Sequence, residues 1–103
     1  RYIHIMVPCP LGWGSAAEAT VQVARLAIES GFFPLFEAEH GVVTQVHKIR
    51  RRVPIERYLE TQKRFAHLFR KDVDESARIA ALQKMADYNI EHFGLLDAKE
   101  PAR

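Results

Sequence analysis

The sequence has 103 residues, of which 48% are hydrophobic and 27% charged, and its formal net charge is +2. The length allows one small domain at most, the composition is that of an ordinary globular protein, and so small a charge identifies no class of partner. No apolar run reaches the roughly 18 residues of a membrane span, no signal peptide is visible, and a single cysteine excludes an internal disulfide, which fits the cytoplasm.

The first segment is apolar from its start. Residues 2–7 are aromatic and β-branched and end at Pro8, which predicts a strand. Near-continuous apolarity predicts burial on both faces, as in a parallel sheet. Because the chain opens inside this run without an initiator methionine, we expect residues 1–103 to be the C-terminal part of a larger single domain.

The stretch VPCPLGWG at residues 7–14 places the only cysteine, Cys9, between two prolines. Pro8 and Pro10 fix their own φ angles and favour extended backbone at the residue before each of them. We therefore expect a stiff loop that holds one thiol in a fixed direction, as a metal or cluster ligand requires. The alternative for a lone cysteine is a buried and inert side chain.

A helix is predicted over residues 16–30. It follows the S-x-x-E pattern of a capping box at residues 15–18, and Gly31 marks its end. Strand, loop and helix would form a βα unit, with Cys9 at the carboxyl end of the strand, where open α/β sheets place their sites. The predicted inward stripe of the helix consists of Ala17, Val21, Ala24 and Ile28.

The middle of the chain predicts a hairpin with a longer loop. Residues 32–36 are extended with a bend at Pro34, residues 37–41 form a polar turn, and residues 42–49 return as a strand. The turn holds two glutamates and a histidine, but their spacing matches no metal motif, so we predict no metal site there.

A basic run precedes Pro54 and consists of Lys48, Arg50, Arg51 and Arg52. It is interpreted either as a solvated loop or as a docking patch for an acidic partner. Contact with nucleic acid is disfavoured because no nucleic-acid-binding fold accompanies the run.

Two helices are predicted in the last half. Residues 55–69 have helical apolar spacing, with Pro54 near the first turn. Residues 75–93 form the second helix, capped by Asp72 or Asp74 and ended by Gly94, and residues 95–103 form a polar tail. The predicted inward stripe of the second helix consists of Ile79, Leu82, Ala86, Ile90 and Phe93.

Three segments together resemble one family. PCPLGW at residues 8–13 resembles the PCP-x-GW loop of the β subunit of thiamine-diphosphate-dependent 2-oxoacid:ferredoxin oxidoreductases of the pyruvate synthase type. GFFPLFE at residues 31–37 is similar to that family's G-x-W-P-L-[YF]-E segment, with Phe33 where the pattern has tryptophan. PIERYL, Gln62 and RFAHL, within residues 54–68, are similar to its P-V-E-E-Y-L-x-x-Q-x-R-F-x-H-L helix.

This resemblance implies an α/β fold, the C-terminal portion of a thiamine-diphosphate-binding fold, with strand–loop–helix, hairpin and two C-terminal helices. It implies oxidative decarboxylation of a 2-oxoacid to acyl-CoA with thiamine diphosphate and Mg²⁺, and electron transfer through a [4Fe–4S] cluster to ferredoxin. Cys9 occupies the position of the family's fourth cluster ligand. The other three ligands and the acidic cofactor motif would precede Arg1, so we expect residues 1–103 alone to be inactive and free of cluster.

The resemblance also implies partners. These are the other subunits of the oxidoreductase (α, γ and δ type), ferredoxin or a similar electron acceptor, CoA and a 2-oxoacid, with no nucleic acid and no membrane span. Pyruvate, another aliphatic oxoacid and an aromatic one such as phenylglyoxylate all remain open as substrate. Two alternatives remain as well, namely a non-catalytic interaction or assembly subunit that retains the fold with a basic docking patch, and a free-standing basic binding module.

Overall fold

The computed structural model describes residues 1–97, which combine helices with one small sheet. The α-helices are α1 (Pro10–Trp13), α2 (Thr20–Glu29), α3 (Ile55–Leu59) and α4 (Ser76–Phe93). Strands β1 (Phe36–Glu39) and β2 (Val42–Val46) form an antiparallel pair, and 3₁₀ helices cover Ala17–Ala19 and Lys63–Phe69. The mixed α and β character is confirmed, whereas the thiamine-diphosphate-binding fold stays a prediction.

The predicted strand over residues 2–7 is wrong. These residues form neither helix nor strand, and the predicted burial is wrong too, because Tyr2 is 87% and Ile3 80% exposed. A strand needs a neighbour for its backbone hydrogen bonds. Within residues 1–97 the sheet consists of β1 and β2 alone, and neither pairs with this segment. The predicted βα unit is therefore absent from the described part of the chain.

Helix α2 begins at Thr20, four residues after the predicted start, and the predicted capping box is wrong. Ser15 makes no cap bond, and its buried hydroxyl has no hydrogen-bond partner within residues 1–97. A 3₁₀ turn precedes the helix instead, and the Thr20 hydroxyl donates to the Ala17 carbonyl at 2.7 Å. The predicted stripe is also rotated, since Val21 is 69% exposed. The residues that α2 buries are Val23, Leu26 and Ala27.

The predicted end of α2 is confirmed. Gly31 follows the helix with φ +83°, in the left-handed region that favours glycine. A β-carbon at this position would lie 2.5 Å from Ile90 Cγ1, so α2 and α4 meet closely here. The Asn89 side chain spans the same contact by donating to the Gly31 carbonyl at 3.0 Å.

The predicted hairpin is confirmed, but its first strand is displaced along the chain and its loop is shorter than expected. Residues 32–35, predicted as extended strand, lie outside the sheet, whereas residues 37–39, predicted as part of the turn, belong to β1. The strands extend to Glu39 and from Val42, so the turn contains only His40 and Gly41. Both have positive φ, 52° and 80°, the combination that a two-residue type I′ turn requires. The returning strand ends at Val46 rather than at residue 49.

The predicted helix over residues 55–69 is wrong in its middle. Helix α3 stops at Leu59, and a 3₁₀ helix begins at Lys63. Between them, the Thr61 hydroxyl and the Gln62 amide both donate to the Tyr58 carbonyl, at 2.7 and 2.9 Å. These side chains take the acceptor that the next helical turn would have used, and Gln62 adopts an extended backbone.

Helix α4 confirms its prediction to within one residue. The N-cap position is Glu75, whose side chain makes no cap bond, but Asp74 one residue earlier caps the first helical residue, because its carboxylate accepts a hydrogen bond from the Ser76 N–H at 3.0 Å. Gly94 ends the helix at φ +60°. The polar tail is wrong at its start, since Leu95 is buried, and residues 98–103 lie outside the described part. The predicted stripe faces inward, with Ala86 and Ile90 buried and Ile79, Leu82 and Phe93 packed against the core.

The main core lies where α2, α3 and α4 meet. Its buried side chains include Val23, Ile55, Leu59 and Ala86. A second, smaller cluster consists of Ile49, Ile90 and Leu95. No helix within residues 1–97 is both long and apolar enough to cross a membrane.

Candidate functional site

Cys9 is exposed, so the alternative of a buried and inert cysteine is wrong. It immediately precedes α1 and has the extended backbone that the proline pair predicted, with φ −120° and ψ 93°. Its Sγ lies beside Gly12, where an added β-carbon would come 3.4 Å from the sulfur. The thiol therefore lies next to a residue without a side chain and is accessible to solvent.

The loop that carries Cys9 is closed by its own backbone. The Cys9 carbonyl accepts a hydrogen bond from the Trp13 N–H at 2.8 Å, and the Pro10 carbonyl accepts one from the Gly14 N–H at 2.9 Å. Gly14 ends α1 with φ +70°, which turns the chain back toward the core. Cys9 and Trp13 thus stand at the two ends of one helical turn.

A second contact fixes this turn to the 3₁₀ helix at Lys63–Phe69. The Gly14 carbonyl accepts a hydrogen bond from the Lys63 N–H at 3.1 Å. The approach is so close that a β-carbon on Gly14 would lie 2.6 Å from Lys63 Cβ. Only glycine fits this contact without displacing the neighbouring segment.

Arg64 provides a further contact between the Cys9 loop and the rest of the fold. Its guanidinium carbon lies 3.9 Å from the centre of the Trp13 ring and 4.6 Å from that of Phe65. The same group donates from Nε to Gln62 Oε1 at 2.7 Å and from Nη2 to the Tyr58 hydroxyl at 3.2 Å. Arg64 therefore connects the Cys9 loop with two side chains whose residues are buried in the core.

The three segments that carry the family resemblance lie together in the fold. The loop at residues 8–13 packs on residues 62–65 as described, and the Phe32 ring lies 5.5 Å from the Tyr58 ring. The sequence predicted the order of these segments but not their mutual packing, and it did not identify Arg64 as the connecting residue. The sequence signal that could have indicated Arg64 is weak. It consists of an arginine next to a phenylalanine, two residues after Gln62, in a chain with a single tryptophan that could accept its guanidinium.

The basic run contains two side chains that bond other parts of the fold and two that are exposed. Lys48 Nζ donates to the Gly94 carbonyl at 2.6 Å, and Arg52 pairs with Asp87 at 2.5 Å. Arg50 and Arg51 are exposed. The interpretation as a simple solvated loop is therefore wrong for Arg52, whose largely buried side chain connects this segment to α4. Lys48 is exposed and bonds the residue after α4 at the surface.

The described residues fit one ligand of a metal cluster but not a whole site. Cys9 offers an accessible sulfur on a constrained backbone, beside Gly12, which has no side chain to cover it. Within residues 1–97, no three side chains of histidine, cysteine, aspartate or glutamate group together in a way that could hold a metal ion. Any further ligands, and any site for Mg²⁺ and a diphosphate, would have to come from other parts of the protein.

Known proteins resemble the chain over most of its length, although no protein-family model matches it. It is 46% identical over 94 residues to pyruvate synthase subunit PorB of Methanosarcina barkeri, which is 91% of this chain and 31% of that protein. PorB of Methanocaldococcus jannaschii is 37% identical over 95 residues, 92% of this chain and 30% of that protein. Ketoisovalerate oxidoreductase subunit VorB of Pyrococcus abyssi is 35% identical over 75 residues, 71% of this chain and 24% of that protein.

Proposed function

The chain belongs to the family of pyruvate synthase-type β subunits, and from this membership we propose that it is the C-terminal part of the β subunit of a CoA-acylating 2-oxoacid:ferredoxin oxidoreductase. It spans about a third of the length of the curated relatives that it matches. The proposed enzyme oxidatively decarboxylates a 2-oxoacid to acyl-CoA and passes electrons to ferredoxin. The names of the relatives support the substrate class, since pyruvate and ketoisovalerate are both 2-oxoacids.

The exposed thiol of Cys9 is the structural observation that supports a cluster in this subunit. A ligand sulfur has to point toward its iron before the iron binds, and the flanking prolines and the closed turn of α1 restrict the direction of this one. Cys9 would lose its proton and coordinate one iron of a [4Fe–4S] cluster, whose other thiolates come from elsewhere in the subunit. The cluster, when bound, supplies one-electron transfer.

Thiamine diphosphate and Mg²⁺ would be bound by parts of the subunit other than residues 1–97. Trp13 would limit the access of water to the sulfur of Cys9, and a drier, less polar surrounding changes the reduction potential of a cluster. The other subunits of the enzyme, ferredoxin and CoA are its proposed partners, and the cytoplasm is its proposed location.

The test replaces Cys9 by alanine in the intact enzyme and measures iron content and the low-temperature EPR spectrum of the reduced protein. Loss of one of four ligands should leave a three-iron cluster or none, and ferredoxin reduction should collapse. Decarboxylation of the 2-oxoacid should persist in part, because that chemistry belongs to the thiamine cofactor.

Leu11→Ala is the matched control, since Leu11 lies in the same loop with 96% of its surface exposed. It should retain four iron atoms and normal ferredoxin reduction. A Cys9→Ala enzyme with an unchanged four-iron signal and full ferredoxin reduction would refute the ligand role. A subunit that binds no cluster even with Cys9 intact would instead favour the non-catalytic alternative.

A further inference from the structure

We propose that Arg64 is a positioning residue for Cys9: by holding Trp13, it sets the direction in which the thiolate is presented to the cluster. This inference rests on the proposed ligand role of Cys9. It assigns to Arg64 no contact with substrate or cofactor, and its effect is transmitted through the one-turn helix α1.

Helix α1 cannot hold its own position. It contains four residues, none of them buried, and an isolated helix of this length is unstable in water. Its place is therefore set from outside, by the hydrogen bond between Gly14 and Lys63 at one end and by the stacking of Arg64 on Trp13. Because the Trp13 N–H donates to the Cys9 carbonyl, a displacement of Trp13 is transmitted to the backbone of Cys9.

Arg64 is itself held in one orientation. Its guanidinium carbon lies over the Trp13 ring and the Phe65 ring, and two of its N–H groups donate to Gln62 and Tyr58. Gln62 is only 2% exposed, and its amide is fixed in turn by the Tyr58 carbonyl. The partners of Arg64 thus belong to the core, and Arg64 fixes the position of the Cys9 loop relative to that core.

The contact needs the shape of arginine as well as its charge. A planar guanidinium can stack on a ring and donate two hydrogen bonds in its own plane at the same time. A lysine ammonium retains the charge but cannot meet these three demands together. The pair Arg64→Lys and Arg64→Met therefore separates a geometric role from an electrostatic one.

The experiment uses the intact enzyme and two readouts of the cluster. One is the rate at which iron is transferred to the ferrous chelator bathophenanthroline, and the other is the EPR line shape of the reduced cluster. Arg64→Met should release iron about tenfold faster, the size expected when a cation–π contact is removed. It should also broaden the EPR signal, because Cys9 would occupy a range of positions, and Arg64→Lys should resemble Arg64→Met.

Variants of Trp13 test the same contact from the other side. Trp13→Leu should shift the iron-release rate and the EPR spectrum in the same direction as Arg64→Met, and the double variant should be no worse than Arg64→Met alone, since that variant has already lost the contact with Trp13. Trp13→Phe retains a ring for the guanidinium and should stay close to the wild type. If Arg64→Met does not accumulate as folded protein, the comparison of Trp13→Leu with Trp13→Phe carries the test.

Arg52→Met is the control for general destabilisation. It breaks the ion pair with Asp87, away from the Cys9 loop, and should lower the unfolding temperature while the iron-release rate and the EPR spectrum stay unchanged. The inference is overturned if Cys9→Ala destroys the four-iron signal while Arg64→Met retains the wild-type rate and spectrum. Full rescue by Arg64→Lys also overturns it, and an intact four-iron cluster in Cys9→Ala overturns it together with the proposed function.

Discussion

Replacing Gly31 by alanine should weaken the contact between α2 and α4 and lower the free energy of unfolding by roughly 2–5 kcal/mol. Left-handed backbone at φ +83° costs an L-residue roughly 1–2 kcal/mol. The added methyl group would lie 2.5 Å from Ile90 Cγ1 and 3.0 Å from the Ala86 carbonyl. Because Ile90 is buried and the carbonyl belongs to the helix backbone, neither can move freely, and overpacking of this kind adds about 1–3 kcal/mol.

Native-state hydrogen exchange of the intact subunit measures this cost locally. Peptides that cover α4 and the end of α2 should lose protection by roughly thirtyfold or more in Gly31→Ala. Gly41→Ala is the matched control, because Gly41 has φ +80° but no atom within 4 Å of the added carbon. It should weaken protection in the hairpin only by the roughly fivefold to thirtyfold that 1–2 kcal/mol represents. Equal losses in the two variants would show that α4 accommodates the methyl group and would refute the packing argument.

Two further predictions concern single hydrogen-bonded side chains. The side chain and then the backbone of Ser76 lower the pKa of Asp74 from its ordinary value of 3.8, so the cap stabilises α4 above that pH and is lost as the pH falls through the lowered value. NMR titration of the Ser76 amide should follow this loss, and Asp74→Ala should abolish the step; a step that persists in the variant would contradict the assignment. Gln62→Ala should cost about 1–3 kcal/mol because it removes the buried amide that bonds the Tyr58 carbonyl, measured as lost exchange protection in residues 55–69. The exposed Gln45→Ala should cost little, and equal protection in both variants would contradict the role of Gln62.

The sequence predicted α4 well because its evidence is local and mutually consistent. The apolar stripe, the cap at Asp74 and the stop at Gly94 agree with one another, and the structure uses all three. Residues 2–7 show the opposite case. Their apolar composition indicates a preference for burial, but burial as a strand depends on a partner that periodicity does not identify.

Side-chain competition explains the break in the predicted helix over residues 55–69. Apolar spacing continues through this stretch, yet Thr61 and Gln62 bond the Tyr58 carbonyl and end α3. At the candidate site, the proline pair predicted the extended backbone of Cys9 correctly. Arg64 was missed because its importance comes from Trp13, which is 51 residues away in the sequence.

Helix α3 depends on a residue that is synthesised much later. Its first N–H, that of Ile55, donates to the side chain of Gln83 in α4 at 2.8 Å, and no side chain at its own N-terminus caps it. A helix of five residues does not persist by itself. We therefore expect this segment to stay uncoiled during translation until α4 has left the ribosome and docks, so that α3 and the buried Tyr58 form late on the folding pathway.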